Sequence, residues 1–115
     1  MNQQSYSGTV QEGTKRASAL GFPTINIPLH NAELSGIYAG VVTHEDREYH
    51  AAIFGDSVRG VLEAYLIDFD EDLYGKEITI TLLHKLRESQ TFSDEESLKK
   101  QIGEDVEKVI HFFNR

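Results

Sequence analysis

The sequence predicts a mainly β domain of about six antiparallel strands, arranged as a sandwich or a barrel and followed by one C-terminal helix. Short apolar stretches recur about every 10 to 15 residues, separated by turn residues and without a helical pattern between them. The last part of the chain instead repeats its apolar residues at steps of three and four. We therefore expect residues 1–115 to form one domain with a shared core, with residues 1–4 loose at the N-terminus.

The predicted strands follow one another along the first three quarters of the chain. They are Tyr6–Val10, Thr24–Ile27, Gly36–Thr43, Tyr49–Phe54, Val61–Ile67 and Ile78–Leu83. The polar segment 44–47 predicts a hairpin turn between the third and fourth strands. The apolar face of the predicted helix consists of Leu98, Ile102, Val106, Val109, Ile110 and Phe113. Ser93 and Glu96 have the spacing of a capping box, so the helix is expected to start at Ser93.

Composition excludes several classes of function. The chain has no cysteine, so it has no disulfide, thiolate metal site or thiol nucleophile. Its formal charge is -8, with 11 Lys and Arg scattered among 19 carboxylates, which argues against a nucleic-acid partner. No apolar run approaches the roughly 18 residues of a membrane span, and no export signal precedes the first strand. We expect a soluble, cytoplasmic protein without a membrane partner.

Two motifs come close to known sites but do not match them. Gly8–Lys15 resembles a phosphate-binding P-loop, but a strand pattern follows where a helix is required. The acidic segment 68–72 has the alternate spacing of a calcium loop, but Leu73 and Thr79 stand where that loop needs Gly and Glu. The histidines have no metal-ligand spacing. The acidic segment is interpreted as a solvated turn, and neither a P-loop nor a zinc site is expected.

Glu63 is the best candidate for a general base. It interrupts Val61–Ile67, a run in which both strand faces are otherwise apolar, so its carboxylate is expected to be partly buried on one face or the other. A desolvated carboxylate beside a substrate hydroxyl can accept its proton. The alternative is an edge residue that reaches solvent or pairs with Lys76 or Arg87.

A second candidate group lies in the predicted second strand and in the loop before it. Thr24 and Asn26 are two residues apart, so their oxygens should project from the same face and can ligate a hard cation such as Mg²⁺. A solvated strand face is the alternative. Upstream, Gly13, Lys15 and Arg16 provide a backbone amide and two cations that can bind phosphate, or a basic surface turn.

Together these residues form a pattern that extends over the whole chain. Its segments are Gly8-x-Val-x-x-Gly13, Leu20-Gly-Phe-Pro-Thr-x-Asn26, Gly36-x-Tyr38, Glu63-x-x-x-x-Asp68-Phe-Asp-x-Asp-Leu-Tyr-Gly75, Leu86-Arg-Glu88 with Phe92, and Gln101-Ile with Asp105. In order and spacing, they resemble the riboflavin kinase family.

The resemblance implies a fold, a reaction and a site. The fold is a six-stranded antiparallel Greek-key barrel with a C-terminal α-helix. The reaction is Mg²⁺-dependent transfer of the ATP γ-phosphate to the 5′-hydroxyl of riboflavin, giving FMN and ADP. Thr24 and Asn26 would bind Mg²⁺ and the nucleotide phosphates, and Glu63 would accept the hydroxyl proton. Arg87 would contact the flavin ring, and we expect a monomer.

The chain departs from the family pattern at two places. Ala17 and Ser18 stand where the family usually has Gly followed by Arg or Lys, which removes a phosphate contact unless Lys15 or Arg16 replaces it. The loop Gly55–Gly60 is shortened and lacks its usual Pro. A non-catalytic barrel that binds a flavin or a nucleotide is therefore the alternative function. The pattern covers only the kinase part of many bacterial members, so we expect no synthesis of flavin adenine dinucleotide.

Overall fold

In the computed structural model, which describes residues 4–11, 21–30, 34–69 and 71–114, the chain forms a nearly closed antiparallel barrel with one helix packed outside it. The strands are β1 (Gln4–Thr9), β2 (Ile25–Pro28), β3 (Gly36–His44), β4 (Arg47–Asp56), β5 (Val61–Leu66) and β6 (Glu77–Arg87). The helix, α1, is Glu95–Phe113. The predicted barrel and C-terminal helix are confirmed. β1 begins at Gln4, which was expected to be loose.

The strands are paired in the order β1-β6-β3-β4-β5-β2. β3, β4 and β5 are consecutive neighbours and β6 returns beside β3, which is the spatial order of a Greek key. Two residues after the end of β1, the Gln11 amide donates to the carbonyl of Asn26 in β2 at 2.8 Å. This bond links the two sheet edges and nearly closes the barrel.

Two apolar clusters stabilise this arrangement. The inner cluster fills the barrel and includes Ile27, Ile53, Leu62 and Ile80, all fully buried. The outer cluster joins α1 to β3 and β4, where Ala39, Ala52 and Val109 are buried among Phe54, Leu86, Val106, Phe112 and Phe113. The two alanines have short side chains, so the helix can pack closely against the outer surface of the sheet.

α1 differs from its prediction at the start and on its apolar face. Its N-cap is Asp94, whose Oδ1 accepts a bond from the Ser97 amide at 2.7 Å; Ser93 is not the cap. Ile110 is 40% exposed, whereas Asp105 is fully buried. The buried stripe follows positions 102, 105 and 109, which face the outer surface of the barrel.

Candidate active site

A cavity of about 470 Å³ opens on the outer side of the barrel wall, between the β4–β5 hairpin, the end of β6 and the start of α1. This volume lies in the usual range for small-molecule sites, roughly 300–1,000 Å³. Ile27 and Leu62 point into the barrel core, so the alternating residues Asn26 and Glu63 project from the opposite face. The sheet therefore presents a polar strand face to the space that α1 leaves uncovered.

Glu63 lies at the polar end of this cavity. In the sheet it is directly opposite Asn26 of β2 and Phe54 of β4, so the three side chains share one face. Its Oε1 accepts a bond from Arg59 Nη1 at 3.0 Å, and its Oε2 lies 3.5 Å from Thr24 Oγ1. Its ionic partner is thus Arg59, and the alternative that paired Glu63 with Lys76 or Arg87 is wrong.

Thr24 and Asn26 provide uncharged oxygens beside that carboxylate. Thr24 lines the cavity just before β2 begins at Ile25. Asn26 is only 3% exposed, and its Oδ1 is a buried side-chain atom without a hydrogen-bond partner among the described residues. A buried amide oxygen without a partner is costly, which points to a ligand that would satisfy it.

The β4–β5 turn holds Arg59 over Glu63. Asp56 Oδ1 accepts from the Arg59 amide at 3.0 Å, and Gly60 completes the turn with a φ of 70°. Arg59 Nη1 also lies 3.4 Å from Asp56 Oδ2. The shortened segment between β4 and β5 is therefore a tight turn that carries a cation to the cavity.

Arg87 lies at the other end of the cavity and is bound to α1. Its Nε donates to Asp105 Oδ1 at 2.9 Å and its Nη2 to Asp105 Oδ2 at 2.7 Å. Its Nη1 donates to the Glu88 carbonyl, and Gln101 Nε2 donates to Asp105 Oδ1 at 3.1 Å. Arg87, the predicted flavin contact, thus borders the cavity while its guanidinium joins the barrel to the helix.

The remaining walls are mostly apolar. The apolar lining residues are Ile37, Phe54, Val58, Phe92, Leu98 and Ile102. The chain segment that follows β6 is fixed beside them, because Ser89 Oγ accepts from the Gly36 amide at 3.0 Å. A cavity with one apolar wall and one polar, charged end suits a ligand that combines a flat apolar ring with a polar chain.

Sequence reasoning and structure differ in two respects. Gly13, Lys15 and Arg16 lie outside the described residues, so their role in phosphate binding stays a prediction. Arg59 and Asp105 were missed as site residues. Arg59 precedes Glu63 by four positions across a turn, and Asp105 falls between Ile102 and Val109 in the buried stripe of the helix. These positions indicate a role in the site only when the positions of the neighbouring strands and helix are known.

Neither a cluster of metal-ligating side chains nor a membrane-spanning helix is found among the described residues. In the ranges 4–11, 21–30, 34–69 and 71–114, no three His, Cys, Asp or Glu side chains are grouped so as to hold a metal ion. The described part of the chain contains no helix with the length and apolar character needed to cross a membrane.

Comparison with known proteins assigns the family. The riboflavin kinase (flavokinase) family model matches residues 1–113. The chain is 34% identical to the RNA-binding riboflavin kinase RibR of Bacillus subtilis, over 93% of this chain and 50% of that protein. It is 33% identical to the bifunctional riboflavin kinase/FMN adenylyltransferase of Haemophilus influenzae, over 93% of this chain and 38% of that protein. The chain thus spans half or less of these relatives.

A solved structure agrees with the family model. The crystal structure of riboflavin kinase from Trypanosoma brucei superposes with a TM-score of 0.68 and 25% identity, covering 100% of this chain and 82% of that one.

Proposed function

From the premise that the chain belongs to the riboflavin kinase family, we propose that it transfers the γ-phosphate of ATP to the 5′-hydroxyl of riboflavin, giving FMN. One observation carries the proposal. Glu63 and Thr24 lie within 3.5 Å of each other at the polar end of a cavity whose other wall is apolar. A flavin has the matching shape, since its ring is flat and its ribityl chain is polar.

Glu63 acts as the general base. Its carboxylate is partly buried on a rigid strand, and it can accept the proton of the ribityl 5′-hydroxyl as the oxygen attacks. The new bond joins that oxygen to the γ-phosphorus, while the bond from the γ-phosphorus to the β-phosphate oxygen breaks and ADP leaves. Catalysis of this type depends mainly on alignment and charge neutralisation, which a rigid barrel wall supports.

The donor set fits a hard divalent cation. Riboflavin kinases use ATP and a divalent metal, and we propose Mg²⁺ here. Thr24 Oγ1 and the unsatisfied Asn26 Oδ1 would hold it, because Mg²⁺ prefers oxygen ligands and is often bound by few protein groups together with substrate phosphates. When bound, the ion would neutralise charge on the nucleotide phosphates.

The flavin ring would lie against the apolar wall. Phe54, Leu98 and Ile102 offer the contact area, and Arg87 borders the ring from a position fixed by Asp105. Gly13, Lys15 and Arg16 are proposed to contact the nucleotide phosphates.

We further propose that residues 1–115 form one domain that works as a cytoplasmic monomer and does not bind nucleic acid. The net charge of -8 supports the last point, since it repels phosphate backbones. The name of the Bacillus subtilis relative includes RNA binding, but this describes the whole of that protein, of which the matched region is only about half.

The test is conversion of riboflavin to FMN by the purified chain, followed by chromatography with fluorescence detection. We expect product with ATP and Mg²⁺, and none when EDTA removes the metal. Absence of any phosphorylated flavin with several nucleoside triphosphates would overturn the kinase assignment. Ligand-induced fluorescence quenching without turnover would instead favour the non-catalytic barrel.

A further inference from the structure

The cavity holds more negative than positive charge around the reacting end. Glu63 and Asp56 both line it, and a nucleotide would bring further negative charge. Among the described residues that line the cavity, the cationic side chains are Arg59 and Arg87. Arg87 is bound in a two-point contact to buried Asp105, so its charge is already matched. Of these two described cations, Arg59 is the one whose guanidinium has donors left for a ligand.

Arg59 makes few contacts for a guanidinium. Both of its side-chain bonds to described residues come from Nη1, at 3.0 Å to Glu63 and 3.4 Å to Asp56. Its side chain is 39% exposed, so it can turn without disrupting a packed core. Its backbone is fixed by the Asp56 bond, so the guanidinium swings from a fixed anchor. The planar group can then present two parallel donors to a phosphate.

In this structure Arg59 contacts Glu63, the proposed base. Arg59 Nη1 lies 3.0 Å from Glu63 Oε1 and so occupies space through which a substrate hydroxyl would approach that oxygen. Movement of the guanidinium away from Oε1 would open this approach. A transferring phosphoryl group offers it a more highly charged partner in the same cavity.

We propose that Arg59 is a phosphate-contacting residue that exchanges Glu63 for the γ-phosphate when the nucleotide binds. This inference rests on the proposed kinase function. In the substrate-free protein the guanidinium contacts both Glu63 and Asp56. With nucleotide bound it contacts the phosphoryl oxygens, and Glu63 becomes free to accept the hydroxyl proton. Nucleotide binding and release of the base are thus one event.

The experiment compares Arg59→Gln with Arg47→Gln. Arg47 is exposed on the β3–β4 hairpin and does not line the cavity, so the control makes the same charge change outside the site. We expect Arg59→Gln to raise the KM for ATP and lower kcat by about tenfold each or more, with the KM for riboflavin nearly unchanged. Arg59→Lys should restore part of the loss, because it keeps the charge without the planar donors.

A second readout does not need turnover. Tripolyphosphate with Mg²⁺ is expected to raise the melting temperature of the wild type and of Arg47→Gln, and to raise that of Arg59→Gln much less. Kinetics of Arg59→Gln that match those of Arg47→Gln would overturn the proposal, as would an effect confined to the KM for riboflavin. If the wild type makes no FMN, the kinase function fails, and the tripolyphosphate shift alone then decides whether Arg59 binds phosphate.

Discussion

The cavity has an arginine–carboxylate pair at each end, and the two pairs are built differently. Arg87 and Asp105 form a two-point contact, with side-chain exposures of 16% and 0%, between residues 18 positions apart on β6 and α1. Arg59 and Glu63 make one 3.0 Å contact, with exposures of 39% and 17%, across a tight turn. The first pair joins two elements, whereas the second lies within one hairpin.

This difference suggests a division of roles, with one pair structural and the other belonging to the proposed reaction. Breaking a buried, two-point pair leaves one buried charge with neither a partner nor water to stabilise it. The Arg87–Asp105 pair therefore holds the helix in place against the barrel. A half-exposed, one-point pair is weakly held and can exchange partners. Activity is therefore expected to depend on Glu63, and stability on Asp105.

The largest expected effect is at the exchangeable end. Glu63→Gln removes the proposed base while keeping the shape of the side chain, and should lower kcat by roughly 10²- to 10⁴-fold, the usual share of a general base. Thermal unfolding should change little. Glu48→Gln, an exposed glutamate on β4, is the control and should keep wild-type kcat. A kcat for Glu63→Gln close to that of the control would remove Glu63 from the reaction.

The next largest effect is at the buried end. Asp105→Asn leaves the Arg87 guanidinium without its counter-charge and should lower the free energy of unfolding by about 3–5 kcal/mol. Urea denaturation measures this loss. Glu104→Gln, its exposed neighbour on α1, should change the same quantity by less than about 0.5 kcal/mol. Equal values for the two variants would mean that the pair does not stabilise the helix docking.

Double-mutant cycles on stability compare the two pairs directly. For Arg87→Met with Asp105→Leu, the coupling energy should reach about 2–3 kcal/mol, because each single change leaves a buried charge. For Arg59→Gln with Glu63→Gln it should be only about 0.2–1 kcal/mol, because the pair is partly exposed. The reverse order of the two coupling energies would contradict the distinction between the pairs.

The smallest effect concerns the start of α1 and depends on pH. The bond from the Ser97 amide, with help from the Ser97 hydroxyl, holds the pKa of Asp94 below its ordinary 3.8. The cap therefore stabilises the fold fully above pH 3.8 and less as the pH falls through the lowered folded-state value. Asp94→Ala should remove the stabilisation by the cap at every pH, and with it the part of the pH dependence that the Asp94 carboxylate causes.

Asp94→Asn keeps a capping oxygen without the titration, so its urea midpoint should fall less with decreasing pH in that range than the midpoint of the wild type, since all other carboxylates are common to both. The midpoint of the wild type should fall over the same range. A wild-type curve parallel to that of Asp94→Asn would show that the cap carboxylate does not contribute.

The end of β6 and the start of α1 show where the local sequence pattern no longer predicts an element boundary. The last predicted strand ended at Leu83, where the apolar stretch ends, yet the pairing of β6 with β3 continues to Arg87. Likewise, both Ser93 and Asp94 are good caps, and the helix starts after the second.

The amino-acid sequence by itself determined the strand count, the C-terminal helix and the family, because periodicity and motif spacing are local properties of the chain. It also marked Glu63 as an exceptional carboxylate in an apolar strand. Only the tertiary structure decided which face Glu63 takes, and that Arg59 and Arg87 pair with different carboxylates. Those outcomes depend on which strands are neighbours once the barrel closes, and contacts between distant segments leave no period in the sequence.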